Sequence, residues 1–160
     1  MKKLMAVIPI ILIMTSCALS PAEIQKEFKA KVFCKYNGVN IKADVESQNH
    51  FLKIKIKSPE SLNGYIYNYR NSKLTVKYKE LELECNTDYF PKNAFANVLY
   101  YVLNSANKDE LNFCGEYRGK ARHKGKCEAG NFTIDSDYNT GYISNLELKD
   151  LDFTASLKNK

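Results

Sequence analysis

The feature that most constrains the fold is a run of alternating apolar residues on both sides of an Asn37-Gly38 dipeptide. In "KAKVFCKYNGVNIKADV" every second residue is apolar, which is the period of a strand with one buried face. Asn-Gly favours a two-residue turn because both residues tolerate positive φ angles. A hairpin closed by that turn pairs Cys34 with Ile41 and places the alternating apolar residues on one face. The segment is therefore predicted to be an antiparallel hairpin.

A third strand is expected to pair with the second arm of this hairpin. A four-residue turn at residues 47–50 would set Ala43 against Ile54 on the apolar face. On the opposite face the same register brings Asp44 and Lys53 together, which is a complementary pair of charges. Agreement on both faces favours a sheet over a helix.

Alternation of the same kind continues along most of the chain. A second hairpin, turning at Asn71-Ser72, would place Tyr67 opposite Val76, and a further strand follows in "LELEC" with its glutamates facing solvent. Four more strands are predicted after residue 111. The total is about eight or nine strands, with no βαβ alternation that would call for a parallel sheet.

Two segments depart from this pattern and are predicted to be helical. Residues 20–23, "SPAE", have the form of a capping box with Pro at the first helical position, so a short helix is expected to run to about Phe28. Apolar residues recur every 3.6 positions in "PKNAFANVLYYVLNSANK", which indicates an amphipathic helix from about Pro91 to Ser105. The chain is thus expected to be a β-rich α+β protein.

The first residues read as an export signal. Lys2 and Lys3 precede an apolar run over residues 4–14, which is too short to span a bilayer. The sequence "MTSC" then resembles the lipobox of bacterial lipoproteins, in which the Cys is acylated and becomes the first residue. We therefore expect a signal peptide over residues 1–16, a single domain over residues 17–160, and lipid attachment at Cys17. Ordinary signal cleavage after Ala18 is the alternative.

The cysteine count agrees with lipid attachment. The chain has five cysteines, and assigning Cys17 to lipid leaves four, which an exported protein can pair in three ways. A hairpin centred near residues 120–121 would set Cys114 opposite Cys127 and leave Cys34 to pair with Cys85. Four unpaired thiols are the alternative in a reducing habitat.

No set of residues in the sequence points to catalysis. Nucleophile elbows, phosphate loops and zinc-protease motifs are absent, so the chain is expected to be non-enzymatic and to need no cofactor. Cys114, His123 and Cys127 lack the close Cys-x2-Cys spacing of a zinc knuckle, so no metal is predicted.

Charge suggests a different kind of partner. The net charge is +6, or +4 once Lys2 and Lys3 leave with the signal peptide. In an exported protein this favours anionic headgroups or envelope polymers over nucleic acid. The basic segment "RGKARHKGK" at residues 118–126 is a candidate contact with headgroups, and a solvated hairpin tip is the simpler reading.

Three segments, taken in order, resemble a known family: "SPESLNGYIYNYRNSKLTVKYKELEL", "FPKNAFANVLYYVL" and "FTIDSDYNTGYISNLEL". With the leader, they look like the LolA/LolB superfamily of lipoprotein carriers and its clostridial-type lipoprotein relatives, over about residues 20–157. The resemblance implies an open antiparallel half-barrel whose helices lie over a concave apolar face that takes up acyl chains.

These observations give two expectations for function. The first is a membrane-anchored extracytoplasmic lipoprotein that binds a lipid or another apolar group in its concave face. The residues expected to line that face are Val32, Ile41, Ile54, Ile56, Tyr67, Val76, Phe95 and Leu99. The second is a structural or interaction lipoprotein with a filled core that contacts envelope polymers or a partner protein. The oligomeric state is not predicted.

Overall fold

The protein is described by a computed structural model that covers residues 20–48, 51–108 and 110–160. Cys17 and the expected signal peptide lie outside the described residues. The described chain forms one open antiparallel sheet of eleven strands in the order β6-β5-β4-β3-β2-β1-β11-β10-β9-β8-β7. The strands are β1 Phe28–Tyr36, β2 Val39–Gln48, β3 Phe51–Ser58, β4 Ile66–Arg70, β5 Lys73–Tyr78, β6 Leu81–Asn86, β7 Asn112–Tyr117, β8 Lys120–Cys127, β9 Gly130–Asp137, β10 Ile143–Leu148 and β11 Phe153–Asn159. Eleven strands exceed the eight or nine that were predicted.

The helical predictions are confirmed in one place and wrong in the other. Helix α1 spans Phe95–Asn107, close to the predicted range, and the three 3-10 turns at Glu60–Leu62, Thr87–Tyr89 and Lys149–Leu151 are short. Residues 20–27 form no helix. The N–H groups of Ala22 and Gln25 donate instead to carbonyls of the turn that joins β9 to β10, at 2.8 and 3.1 Å. These hydrogen bonds to the β9–β10 turn take the place of the backbone bonds that a helix would have formed.

The first hairpin has the predicted register, and the third strand does not. Cys34 pairs with Ile41 across the Asn37-Gly38 turn, as expected. Ala43, however, lies opposite Ile56 and not Ile54, because β2 continues to Gln48 and β3 begins at Phe51. The strands therefore slide by two residues relative to the prediction. A shift of two keeps every side chain on its predicted face, which is why the apolar pattern did not reveal the error.

The second hairpin follows the prediction closely. Tyr69 pairs with Leu74 and Tyr67 with Val76 across the Asn71-Ser72 turn.

The segment after residue 111 forms five strands, one more than the four that were predicted there. The turn of the β7–β8 hairpin lies at Arg118-Gly119, two residues before the predicted centre. A second turn then starts β9, in which Gly130 pairs with Cys127. One predicted hairpin therefore becomes three short strands, and β7 forms one edge of the sheet.

Neither of the two predicted disulfides is present in the structure. Cys114 lies at a register shift between Phe113 and Gly115, well away from Cys127 in the ladder. Cys34 is on β1 and Cys85 on β6, five strands apart in the sheet order. All four cysteines of the described ranges are free thiols.

The sheet curls around α1 to form the expected half-barrel. The helix contacts Tyr69 on β4, and among the strands its backbone approaches β8 most closely. These two strands are seven places apart, or about 34 Å in a flat sheet, whereas a helix is only about 10 Å wide. Only a curled sheet allows one helix to touch both. Its concave side holds the core, and no helix in the described part of the chain is long and apolar enough to cross a bilayer.

Candidate apolar binding site

Five of the eight residues expected to line the concave face lie in the buried core, four of them on the sheet and Leu99 on α1 itself. None of them is more than 4% exposed, and they are Val32, Ile41, Ile54, Ile56 and Leu99. The other three, Tyr67, Val76 and Phe95, are half-buried and pack at the margin of this core. Most of the residues chosen as ligand-lining are therefore already covered by the protein itself.

Helix α1 fills the part of the concave face that it covers. The hydroxyl of Tyr69 donates to Oδ1 of Asn97 at 2.8 Å, and the ring of Tyr100 stacks on Tyr69 with 4.3 Å between centroids. A cavity between Leu52 and Leu103, beside the helix, measures only about 20 Å³. That volume has room for about one water molecule and is far too small for an acyl chain.

The concave face continues beyond the helix onto β5 and β6. Leu83 lies opposite Val76, and Leu81 lies opposite Tyr78. Their side chains point to the same side as the core, yet Leu81 is 74% exposed and Leu83 is 61% exposed. With three half-buried neighbours, these two leucines form a partly exposed apolar surface, which we call the open strip: Tyr67, Val76, Tyr78, Leu81 and Leu83.

Aromatic rings border the open strip. Tyr65 stacks on Tyr78 with 4.4 Å between ring centroids, and Phe90 lies 6.1 Å from Tyr67. Burial raises the pKa of the Tyr67 hydroxyl, so this phenol is neutral at physiological pH. The border thus offers flat, uncharged surfaces of the kind that accept hydrocarbon.

Of the predicted residues, only Tyr67 and Val76 belong to the open strip. Phe95 packs on Phe153 of β11, at 6.2 Å between centroids, on another part of the sheet. Leu81 and Leu83 were recognised as an alternating strand but not as ligand-lining residues. The sequence signal for their exposure was their position in the last strand before the helix. That strand, β6, lies at one edge of the sheet, and an edge strand has only one neighbouring strand to cover it.

No cluster of three or more metal-ligating side chains occurs among the described residues. His123 is buried on β8 beside the ring of Phe113, and Cys114 is exposed on β7.

The opposite face of the sheet is strongly basic. The strands contain fifteen Lys and Arg and eight Asp and Glu, and all of these except Glu116 alternate with the core residues and point outward. The outer face therefore carries a surplus of eight positive charges. Four of the fifteen basic residues belong to the predicted basic segment, because Lys120, Arg122, Lys124 and Lys126 all point outward from β8. The segment begins at the hairpin turn, Arg118-Gly119, and continues as a strand.

Comparisons with known proteins find similarity in structure and none in sequence. No protein-family model matches the chain, and no curated protein matches it in sequence. Among solved structures, it is similar to the crystal structure of a LolA superfamily protein from Nitrosomonas europaea, with a TM-score of 0.42 and 6% sequence identity. The alignment covers 89% of this chain and 86% of that one.

Proposed function

We propose that this protein is an extracytoplasmic lipoprotein, anchored through an acylated Cys17, that binds an acyl chain on the open strip without catalysing a reaction. The proposal narrows the predicted site from the whole concave face to its uncovered end. An acyl chain is the apolar group most abundant at the membrane to which the anchor would attach the domain.

The exposure of Leu81 and Leu83 is the observation that carries this proposal. Both side chains continue the core face in register, so they have the orientation of core residues without any cover from the chain. Each large aliphatic side chain gains about 1.5–3 kcal/mol when it is fully removed from water. A ligand that covers both would recover that free energy.

Native mass spectrometry of protein extracted from membranes tests the proposal. We expect a mass increment corresponding to one bound lipid, which exchanges on addition of excess fatty acid. The double substitution Leu81→Asn and Leu83→Asn should abolish the increment. A matched pair on the outer face of the same strand, Glu82→Gln and Glu84→Gln, should leave it unchanged. Protein that carries no lipid, and takes up none when fatty acid is added, would refute the proposal.

A second candidate function follows from the outer face. Its surplus of eight positive charges favours electrostatic contact with anionic headgroups or envelope polymers. Such contact should weaken steeply as salt is raised, because exposed charges are screened within about 10 Å at 0.1 M ionic strength. Sedimentation with phosphatidylglycerol vesicles at low and high salt tests it, and salt-independent binding would contradict it.

A further inference from the structure

We infer that the outer face of the sheet contains a second binding site, a groove that recognises a neutral saccharide chain. The groove encloses about 610 Å³ and lies over β2, β1, β11, β10 and β9. It is on the side of the sheet opposite the core and the open strip. The inference therefore does not depend on acyl-chain binding.

Two rows of polar side chains form the floor of the groove. Residues in each row are direct cross-strand neighbours. The first row is Lys42, Phe33, Ser156, Asn145 and Asp135. The second row is Asn40, Lys35, Thr154, Glu147 and Thr133. Five strands at about 4.8 Å spacing make each row about 19 Å long, and the two rows are about 7 Å apart along the strands. The floor is therefore long enough for several sugar rings in line.

Irregularities in the sheet flank the groove on both sides. The ladder between β9 and β10 shifts register at Ser144, and the ladder between β2 and β3 shifts next to Lys42. An extra residue in one strand bends that strand and increases the local twist. The two shifts thus give a physical reason why this part of an outer sheet face is cupped.

The charged residues that line the groove balance in number, whereas the rest of this face is basic. It contains two basic residues, Lys35 and Lys42, and two acidic residues, Asp135 and Glu147. Asp135 is held by Arg122, with Nε to Oδ1 at 2.7 Å and Nη2 to Oδ2 at 3.0 Å. Glu147 forms no ion pair or side-chain hydrogen bond with any described residue. A carboxylate without a hydrogen-bond partner, on the fourth of the five strands, disfavours an anionic ligand and favours one that donates hydrogen bonds.

The other groups in the groove suit hydroxyl recognition. The hydroxyls of Thr133 and Thr154, which flank Glu147 in the second row, have no side-chain partner among the described residues. Hydroxyls donate and accept, so these groups match the hydroxyls of a sugar. The ring of Phe33 is 38% exposed and has Nζ of Lys158 at 5.6 Å from its centroid, so one of its two faces is left for the C–H face of a pyranose. Free acid, hydroxyl and aromatic groups in one groove point to a saccharide.

NMR titration of the mature protein with chitotetraose and with maltotetraose tests the inference. With at least one of the two tetrasaccharides, we expect saturable chemical-shift changes at Thr133, Glu147 and Thr154. We expect no changes at Leu81 or Leu83. Glu147→Gln and Thr154→Val should each weaken binding about tenfold, equivalent to about 1.4 kcal/mol. Thr75→Val, which removes an outward hydroxyl from β5, is the matched control and should bind like the wild type.

Two results would overturn the inference. One is the absence of groove shifts with both tetrasaccharides at millimolar concentration. The other is saturable binding of polyphosphate at the same residues with no response to either sugar, which would make the groove an anion site. Lipid binding at the open strip is read from Leu81 and Leu83, so failure of one site is distinguishable from failure of the other.

Discussion

The hydroxyl of Tyr69 on β4 donates a 2.8 Å hydrogen bond to Oδ1 of Asn97 on α1, and both side chains are fully buried. The amide nitrogen of Asn97 in turn donates to the carbonyls of Phe90 and Pro91, each at 3.0 Å. One buried amide thus joins the sheet, the helix and the loop that leads into the helix. This polar contact fixes the helix on the concave face and so determines how much of that face stays open.

Removing the Tyr69 hydroxyl should destabilise the protein. Tyr69→Phe leaves Oδ1 of Asn97 buried without a donor, which costs about 1–3 kcal/mol. Urea denaturation measures the change in the free energy of unfolding. Tyr89→Phe is the matched control, because Tyr89 is 86% exposed and its change should stay within about 0.5 kcal/mol. Equal stabilities for the two variants would show that the buried contact does not hold the helix.

Stability should decrease as the pH falls through the range in which histidine titrates. Burial lowers the pKa of His123 from its ordinary value of 6.5, and Nε2 has no partner among the described residues. Below that value the unfolded chain takes up a proton at this position more readily than the folded chain, so acid favours unfolding.

Urea denaturation at about pH 7.5 and about pH 5.5 measures this effect. The wild type should lose stability between the two, and His123→Leu should lose less. A variant with the same loss as the wild type would exclude His123 as the cause.

The described cysteines should differ widely in reactivity. Cys114 is exposed, whereas burial raises the pKa of the Cys34 thiol to about 12 and also raises the pKa of Cys127. Since the thiolate is the reactive form, brief treatment with iodoacetamide should modify Cys114 first and Cys34 only after unfolding. Peptide mass mapping reads the order. Cysteines that fail to react with iodoacetamide in denaturant, and react only after a reductant is added, would contradict the free thiols of the structure.

Lipid attachment at Cys17 is tested separately. Growth with an alkyne-tagged fatty acid should label the protein at residue 17, through base-labile esters of a diacylglyceryl group on the sulfur or a base-stable amide on the new N-terminus. Cys17→Ser should remove the label, and Cys114→Ser should keep it. Lack of label on the wild-type protein would refute the anchor and leave secretion after Ala18 as the explanation.

Local pattern predicted the sheet and the helix well, because both depend on the spacing of apolar residues along a short stretch. The turn at Asn37-Gly38 set its register correctly, since its two residues specify the turn geometry. The β2–β3 turn lacked such a signal, and a slip of two residues left the faces unchanged. The short helix at residues 20–27 failed because tertiary hydrogen bonds to the β9–β10 turn replaced local ones.

The candidate sites were harder to predict than the fold. Whether Ile54 is covered and Leu83 is exposed depends on where α1 lies across the sheet, which is a contact between distant segments. The groove on the outer face depends on β1 lying beside β11, the two ends of the described chain. Neither pairing is visible in the spacing of residues within one segment.

The most direct test of the central claim is photo-crosslinking of the mature protein with a diazirine-bearing fatty acid, followed by peptide mapping. The open strip predicts adducts in the segment that contains β5 and β6, at residues 73–86, and loss of those adducts in the Leu81→Asn and Leu83→Asn double variant. Glu82→Gln with Glu84→Gln should retain them. Adducts confined to β1–β3 beneath α1, or none above the level of a denatured control, would contradict the account.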